Sequence, residues 1–500
     1  MNIAYFLDTA VGLGGAGNLL LMQARAIKEV NTVCVIIPVD GNGVPNAEYV
    51  TRCERWGLKY YCMPVVTAFN FKTLDLFQSL KCISDTYSFL KDNHIELIHS
   101  IQLNIAADIC ARTLNIPHLM SIYQLKPYEF RYSFGNLFAA YHLCDSILYS
   151  ELWKEMKGMV SRVIRPISPI EQLEERQILA KDEIVFLMVG RVCRRKNQLG
   201  AIRAIEQIRN KYKVKLLIAG ELVESYAQEC IKYVESKGLS DSIDFLDFVS
   251  EVGSLMKTSD VFLCCSNDES FPTSIVEAVS YDMTVLTTPA GGIGEVFKDG
   301  ENAIVLDDFS DESLICGMMK CIEMYVDGTV EHLHENSRLT WKAMFEENGI
   351  VDRLDGYYSY ILENYERREI DNNTINEAYI ILGKLVAYDS CFALFRNRIL
   401  YLLSLYHEIS CKKAYIWGAG KYGGYAYGFL QALRPDVSIE GFIDKNRTGE
   451  YCGVPILKPS ELNWKNDSAV IIAYVGSVEE TISELETKGY SFDKNIYVFN

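Results

Sequence analysis

Nowhere does the 500-residue sequence run uncharged and apolar for the roughly 20 residues that a membrane-crossing helix needs. Near its start, the longest stretch free of Asp, Glu, Lys and Arg, Thr9 to Ala24, is rich in glycine. The N-terminus has no basic segment and no small-residue cleavage site, and MNIAYFL reads as a first buried strand, so secretion is not expected. No Cys-x-x-Cys pair occurs among the 15 cysteines, and no spacing of Cys and His suggests a zinc site, so no metal is expected. Several cysteines lie in apolar runs, such as Cys34 in TVCVIIP. There they act as small hydrophobes, which fits a reducing compartment. Basic residues are scarce: 49 Lys and Arg face 66 Asp and Glu, a net charge of −17, which argues against nucleic acid as a partner. Residues 1–168 are nearly neutral, so the deficit lies beyond them. The expected location is the cytoplasm, with peripheral contact at the inner face of a membrane left open.

What the chain does have is a long α/β alternation. Apolar strands at Ile3–Leu7, Thr32–Pro38, Leu97–His99, His118–Ile122 and Ser146–Tyr149 are separated by helical patterns at Leu19–Val30, Leu74–Asn93 and Asn104–Leu114. Such alternation predicts a parallel sheet covered on both faces. The pattern breaks over Val160–Gln177, around Pro166 and Pro169, which reads as a linker. A second α/β unit follows, with strands at Ile184–Val189, Val214–Ala219, Ile243–Leu246, Val261–Cys265, Thr284–Thr287 and Ala303–Leu306. Residues 311–410 read as mostly helical, and a third, smaller α/β unit runs from Ala414 to the end. The expected domains are 1–168, 178–365, a helical connector 366–410, and 411–500.

The second unit carries the most informative chemistry. Strand FLMVG ends at Gly190 and is followed by Arg191 and then Lys196. In an open parallel sheet ligands bind beyond the carboxyl ends of the strands, and two cations there suit phosphate. Taken alone such a pair is more often a solvated face. After strand VFLCC comes SNDESFPTSIVEAVSY, where Phe271 and Pro272 lead into a helix that Thr273 and Ser274 begin. Glu269 lies in the loop before that helix and Glu277 about one turn inside it. The unpaired N–H groups of the helix start form an anion site, with a carboxylate beside it for sugar or ribose hydroxyls.

These pieces together resemble the retaining GT-B glycosyltransferases of family 4. The resemblance rests on Gly14 and Gly15, VGRVCRRKN, AGE at Gly220–Glu221, FLDFVSE, ESFPTSIVEAVS, PAGGIGEV and DGENAIV, in the family's order over residues 1 to about 310. It implies two facing Rossmann-like domains. Arg191 and Lys196 would hold the diphosphate of a nucleotide sugar, Glu277 the ribose, and Glu269 the transferred sugar at its anomeric centre. Gly14, Gly15, Phe271, Pro272, Thr273 and Ser274 would line the donor. No cofactor is required beyond the nucleotide-diphosphate sugar. The acceptor would be a glycan, a lipid-linked sugar or a protein, in surface polysaccharide or glycoconjugate synthesis. The family's N-terminal histidines are replaced: Tyr123 and Ile101 stand at those places, and His99 reads as a packed strand end. Its usual helix-ending Gly-Pro appears as Asp282–Met283–Thr284. Aromatics from Tyr128 to Phe138 suit either acceptor contact or packing. The alternatives are a non-catalytic nucleotide-sugar scaffold or sensor, and a GT-B epimerase.

In the third unit, AYIWGAGKYGGYAYGFL fits strand–Gly418-x-Gly420-x-x-Gly423–helix, and GFID places Asp444 at the end of the next strand. That is dinucleotide-binding spacing. The stretch that follows resembles the small nucleotide-fold domains preceding some sugar acyltransferases, which implies a second nucleotide site or a packing module.

Overall fold

The computed structural model describes residues 1–8, 14–67, 76–101, 104–123, 141–170, 172–176, 183–222, 225–366, 409–434, 436–462, 464, 467–474, 478–491 and 494–498. Three sheets organise the chain, and the α/β class expected from the sequence is what is found. The first sheet comprises β1 (Asn2–Phe6), β2 (Thr32–Pro38), β3 (Lys59–Met63), β4 (Leu97–Ile101), β5 (His118–Ile122), β6 (Tyr141–Cys144) and β7 (Ser161–Val163). They pair in the order β3-β2-β1-β4-β5-β6-β7, all parallel. The second comprises β8 (Glu183–Val189), β9 (Lys213–Ala219), β10 (Ile243–Asp247), β11 (Val261–Cys264), β12 (Thr284–Thr287) and β13 (Ile304–Val305), ordered β10-β9-β8-β11-β12-β13. The strands best marked in the sequence, such as TVCVIIP and LIHSI, are those with helices over both faces, where nearly every side chain is buried.

One expected strand is a helix. Ser146 stands at its N-cap, accepting from the Tyr149 amide, and the helix runs Ile147–Lys157. The apolar run ILY is too short to tell strand from helix by periodicity, and the cap decides. Three strands of the first sheet were not expected: β3, half-exposed at a sheet edge, β6, just before that helix, and β7, three residues inside the linker region.

After the second sheet the chain returns to the first. Helix Glu347–Asn364 buries Ile350, Leu354, Tyr358 and Ile361 among Ile3, Tyr5, Leu20 and Leu97. Its Tyr358 hydroxyl lies 2.5 Å from that of Tyr5 and 2.7 Å from His99 Nδ1, while His99 Nε2 meets Ser121 Oγ at 2.6 Å. His99 is thus a fully satisfied core residue, and burial holds its imidazole far down, at about 3. The third sheet, β14 (Lys413–Trp417), β15 (Ser438–Ile443), β16 (Gly449–Tyr451), β17 (Val454–Leu457), β18 (Ser468–Ile472) and β19 (Ile496–Val498), has the order β16-β17-β15-β14-β18-β19, with the β16–β17 hairpin antiparallel. Its helix Lys421–Leu433 lies against the first unit's helix Leu76–Asp92, and Ala426 and Leu430 share a core with Cys82, Ile83 and Leu90. Nearly all of the expected 366–410 connector lies outside the described residues.

Candidate donor site at the second switch point

In the second sheet the strand order reverses between β8 and β11, and crevices at such points hold ligands. Two loops leave the carboxyl ends there. After β8, residues Arg194–Lys196 form one turn of 3-10 helix closed by Asn197 at φ +53°. After β11, Ser266–Pro272 leads into helix Thr273–Ser280, whose start no side chain caps.

The loops meet at Glu269. Its carboxylate is almost wholly buried and lies 2.6 Å from Lys196 Nζ and 2.7 Å from an Arg195 guanidinium nitrogen. Burial alone would raise this carboxyl, but the two cations outweigh it and hold it below its ordinary value. Lys196 and Glu269 are therefore brought together. Arg195 was missed: in RRK nothing marks which arginine turns inward. It also donates to the Asp268 carbonyl at 2.9 Å. Arg191 stands at the rim, mostly exposed, with Nε 3.3 Å from Glu221.

The Glu269 loop is backed by PAGG. Gly291 has φ +57°, and a Cβ there would lie 1.5 Å from the Glu269 carbonyl oxygen, so only glycine permits this approach. Phe271 is buried against Phe297 and Phe345, with the Arg165 guanidinium 5.2 Å from its ring. Where the family's Gly-Pro would stand, Asp282 adopts φ +54°, which Asp tolerates better than most residues. Its carboxylate is fixed by Arg338 at 2.8 Å, His334 at 3.2 Å and the Arg176 amide at 2.9 Å.

Glu277, one turn into the helix, is half-buried, and desolvation pushes its carboxyl up to about 7. Arg52, from the facing unit, pulls it down, while Glu251 pushes it up. The facing unit also brings Gly15 to the helix start: a Cβ there would lie 3.6 Å from Thr273 Oγ1, whereas one on Gly14 would meet open space. Asp8, buried just past the carboxyl end of β1, went unnoticed in the sequence; burial pushes it up to about 7. Tyr123, in the family's histidine place, is buried with its hydroxyl 3.2 Å from Gln23 Nε2, and Ile101 is core. The aromatics from Tyr128 to Phe138 lie outside the described residues.

Side-chain bridges join the units near the site. Ser270 donates to Asp145. Glu295 accepts from the Ile147 and Leu148 amides at 2.9 and 2.8 Å and pairs with Arg165 at 2.6 Å.

In the third unit, a Cβ on Gly423 would lie 1.8 Å from the Gly418 carbonyl oxygen, so the turn needs glycine for packing. Gly420 precedes the helix and faces open space. Asp444, singled out by the dinucleotide-binding spacing, spends its carboxylate on the amides of Ala419, Asn446 and Arg447 at 3.1, 2.8 and 2.9 Å. Among the described residues no group of three or more His, Cys, Asp or Glu is placed to hold a metal, and no helix is long and apolar enough to cross a membrane.

The family model described as glycosyl transferases group 1 matches residues 170–340, the span holding both loops. Among curated relatives, one chain of the human phosphatidylinositol N-acetylglucosaminyltransferase is 26% identical over 70% of this chain and 74% of its own length. The Bacillus anthracis N-acetyl-alpha-D-glucosaminyl L-malate synthase is 24% identical over 40% of this chain and 51% of its own. Among solved structures, Anabaena HepE in complex with UDP and glucose is similar with a TM-score of 0.60 at 18% identity, covering 72% of this chain and all of that one. The architecture is thus the GT-B fold.

Proposed function

We propose, for a GT-B chain with a glycosyl transferases group 1 segment, that it moves a sugar from a nucleoside diphosphate sugar to a glycan, lipid-linked or protein acceptor, with retention at the anomeric carbon. It is a sugar transferase. The observation that carries the donor reading is the buried Glu269 carboxylate held by Lys196 and Arg195 beside an uncapped helix start. A carboxylate there faces the hydroxyls of the bound sugar. Lys196, Arg191 and the Thr273 and Ser274 amides stabilise charge on the departing diphosphate, as preorganised donors do in a partly dry site. The sugar C1–O bond to phosphate breaks with its electron pair going to the phosphate oxygen. The acceptor oxygen bonds to C1 on the same face, and its proton passes to that phosphate oxygen. No metal is called on, because the cations and amides supply the positive charge.

Uridine diphosphate sugars are the first donors to test, since HepE is similar in fold and binds UDP. The relatives named for N-acetylglucosamine transfer make that sugar a candidate. The acceptors expected are those of surface polysaccharide or glycoconjugate synthesis, and contact with a membrane surface belongs to this proposal. A thermal-shift and donor-hydrolysis screen of purified protein against uridine, guanosine and adenosine diphosphate sugars tests the reading, with Lys196→Ala alongside. Stabilisation by one donor, lost in the variant, supports it. A folded protein that answers to none points instead to a scaffold or sensor role.

A further inference from the structure

Helix Ala47–Arg55 of the first unit meets the second unit at the loop after β10. Arg55 pairs with Glu251 on the loop after β10, and one arm of Arg52 reaches the Ser250 carbonyl at 3.4 Å on the same loop. Another arm donates to Asn18 at 2.6 Å, on the helix that begins at Gly15. The Trp56 ring lies 5.9 Å from the guanidinium carbon. Arg52 Nε is nonetheless buried with no hydrogen-bond partner, an arrangement that costs free energy unless something completes it. This cation also acts on the Glu277 carboxyl, from the opposite wall of the cleft.

We propose that Arg52, although it belongs to the acceptor-side unit, is a donor-binding residue that grips the ribose–phosphate edge of the nucleotide from across the cleft, opposite Glu277. The proposal rests on the donor reading given above. An arginine fork suits this place because it can keep its bonds to Asn18 and Ser250 while a further N–H meets a ribose or phosphate oxygen. It makes nucleotide binding depend on both units at once, so donor affinity becomes a report on how closely they face each other.

The charged and titratable groups around Glu277 are Arg52, Glu251 with its partner Arg55, and Tyr281. Of these Arg52 is the one that lowers the carboxyl directly. Donor binding through the ionised carboxylate therefore strengthens as pH rises through about 7, and loss of Arg52 moves that midpoint upward.

The test is calorimetric titration of the full-length protein from pH 6 to 8.5 with uridine, guanosine and adenosine diphosphate sugars, whose diphosphates do not titrate in this range. Wild type is compared with Arg52→Ala, Arg52→Lys, Arg55→Ala and Glu277→Gln. We expect Arg52→Ala to bind about tenfold more weakly, with its midpoint about one unit higher. Arg52→Lys keeps the midpoint near wild type while losing affinity. Arg55→Ala, which breaks the neighbouring contact only, changes affinity little, and Glu277→Gln removes the step that Arg52 shifts, leaving only what Asp8 contributes. An Arg52→Ala protein that binds the donor as tightly as wild type overturns the proposal. An equal loss in Arg55→Ala also overturns it, since Arg52 would then only hold the units together. If wild type binds none of the donors, the donor-site reading falls and takes this inference with it.

Discussion

Arg195 and Glu269 lie 2.7 Å apart with the carboxylate almost fully enclosed, so the carboxylate that we propose to face the sugar carries more positive charge around it than Lys196 alone provides. Removing one cation leaves Glu269 half-compensated in a dry site. Arg195→Ala is expected to cost about 1–3 kcal/mol of stability and to slow transfer tenfold or more. Glu269→Ala should cost more than Arg195→Ala, because it leaves two cations facing each other. Thermal melts beside a donor-hydrolysis assay check both, and a Glu269→Ala protein as stable and active as wild type would remove the residue from the site.

Glu295 supplies a cap to a helix that belongs to the other unit. It accepts the first two amides of Ile147–Lys157 and pairs with Arg165. Glu295→Ala therefore loses a cap and a partly buried ion pair together, for a destabilisation of about 2 kcal/mol. Hydrogen exchange is the sensitive readout: the amides of Ile147 and Leu148 should lose protection well before those of the second sheet.

Asp145 gives a pH signature. Its carboxyl is pushed up to about 7, first by burial, with Ser270 and Arg165 only partly offsetting. The folded protein keeps a proton that the unfolded chain releases near pH 4. Its stabilising share is thus full below that range and fades as pH rises through about 7. Asp145→Asn, which keeps an oxygen for Ser270, should gain on wild type by about 1 kcal/mol at pH 8.5 and not at pH 5. Melting curves at the two pH values decide it, and equal differences at both would show that Asp145 is ionised throughout.

Tyr358→Phe strips a hydroxyl that serves both Tyr5 and His99. The buried imidazole nitrogen is left unpaired, at a cost of about 1–3 kcal/mol. Donor affinity should not change, because the network lies in the core of the first sheet, away from Glu269 and Lys196. Urea unfolding together with donor titration separates the two effects.

Much of the fold was legible because parallel strands buried on both faces leave continuous apolar runs. Thr32–Pro38, His118–Ile122 and Thr284–Thr287 were bounded to the residue. Lys59–Met63 was not, since an edge strand with half-exposed side chains has no such run. Ser146–Tyr149 failed for another reason: its apolar run is too short to show a period, and beside the Ser146 cap the helix start is held by Glu295, almost 150 residues away in sequence, which no local pattern reveals. The site divides in the same way. Lys196 and Glu269 sit on loops whose strand-to-helix context is local. Arg52, Arg195 and Glu295 act through partners on other segments, and only the folded cleft shows which of the many charged side chains are turned inward.

The return of helix Glu347–Asn364 to the first sheet has a bearing on how the chain is made. A nascent polypeptide emerges N-terminus first, and early units commonly fold while synthesis continues. Here the first sheet still lacks Ile350, Leu354, Tyr358 and Ile361 after its own last strand has been translated. Its apolar flank must wait through the whole second unit before the covering helix arrives. During that interval the growing chain carries an open hydrophobic face, the kind of surface that chaperones cover.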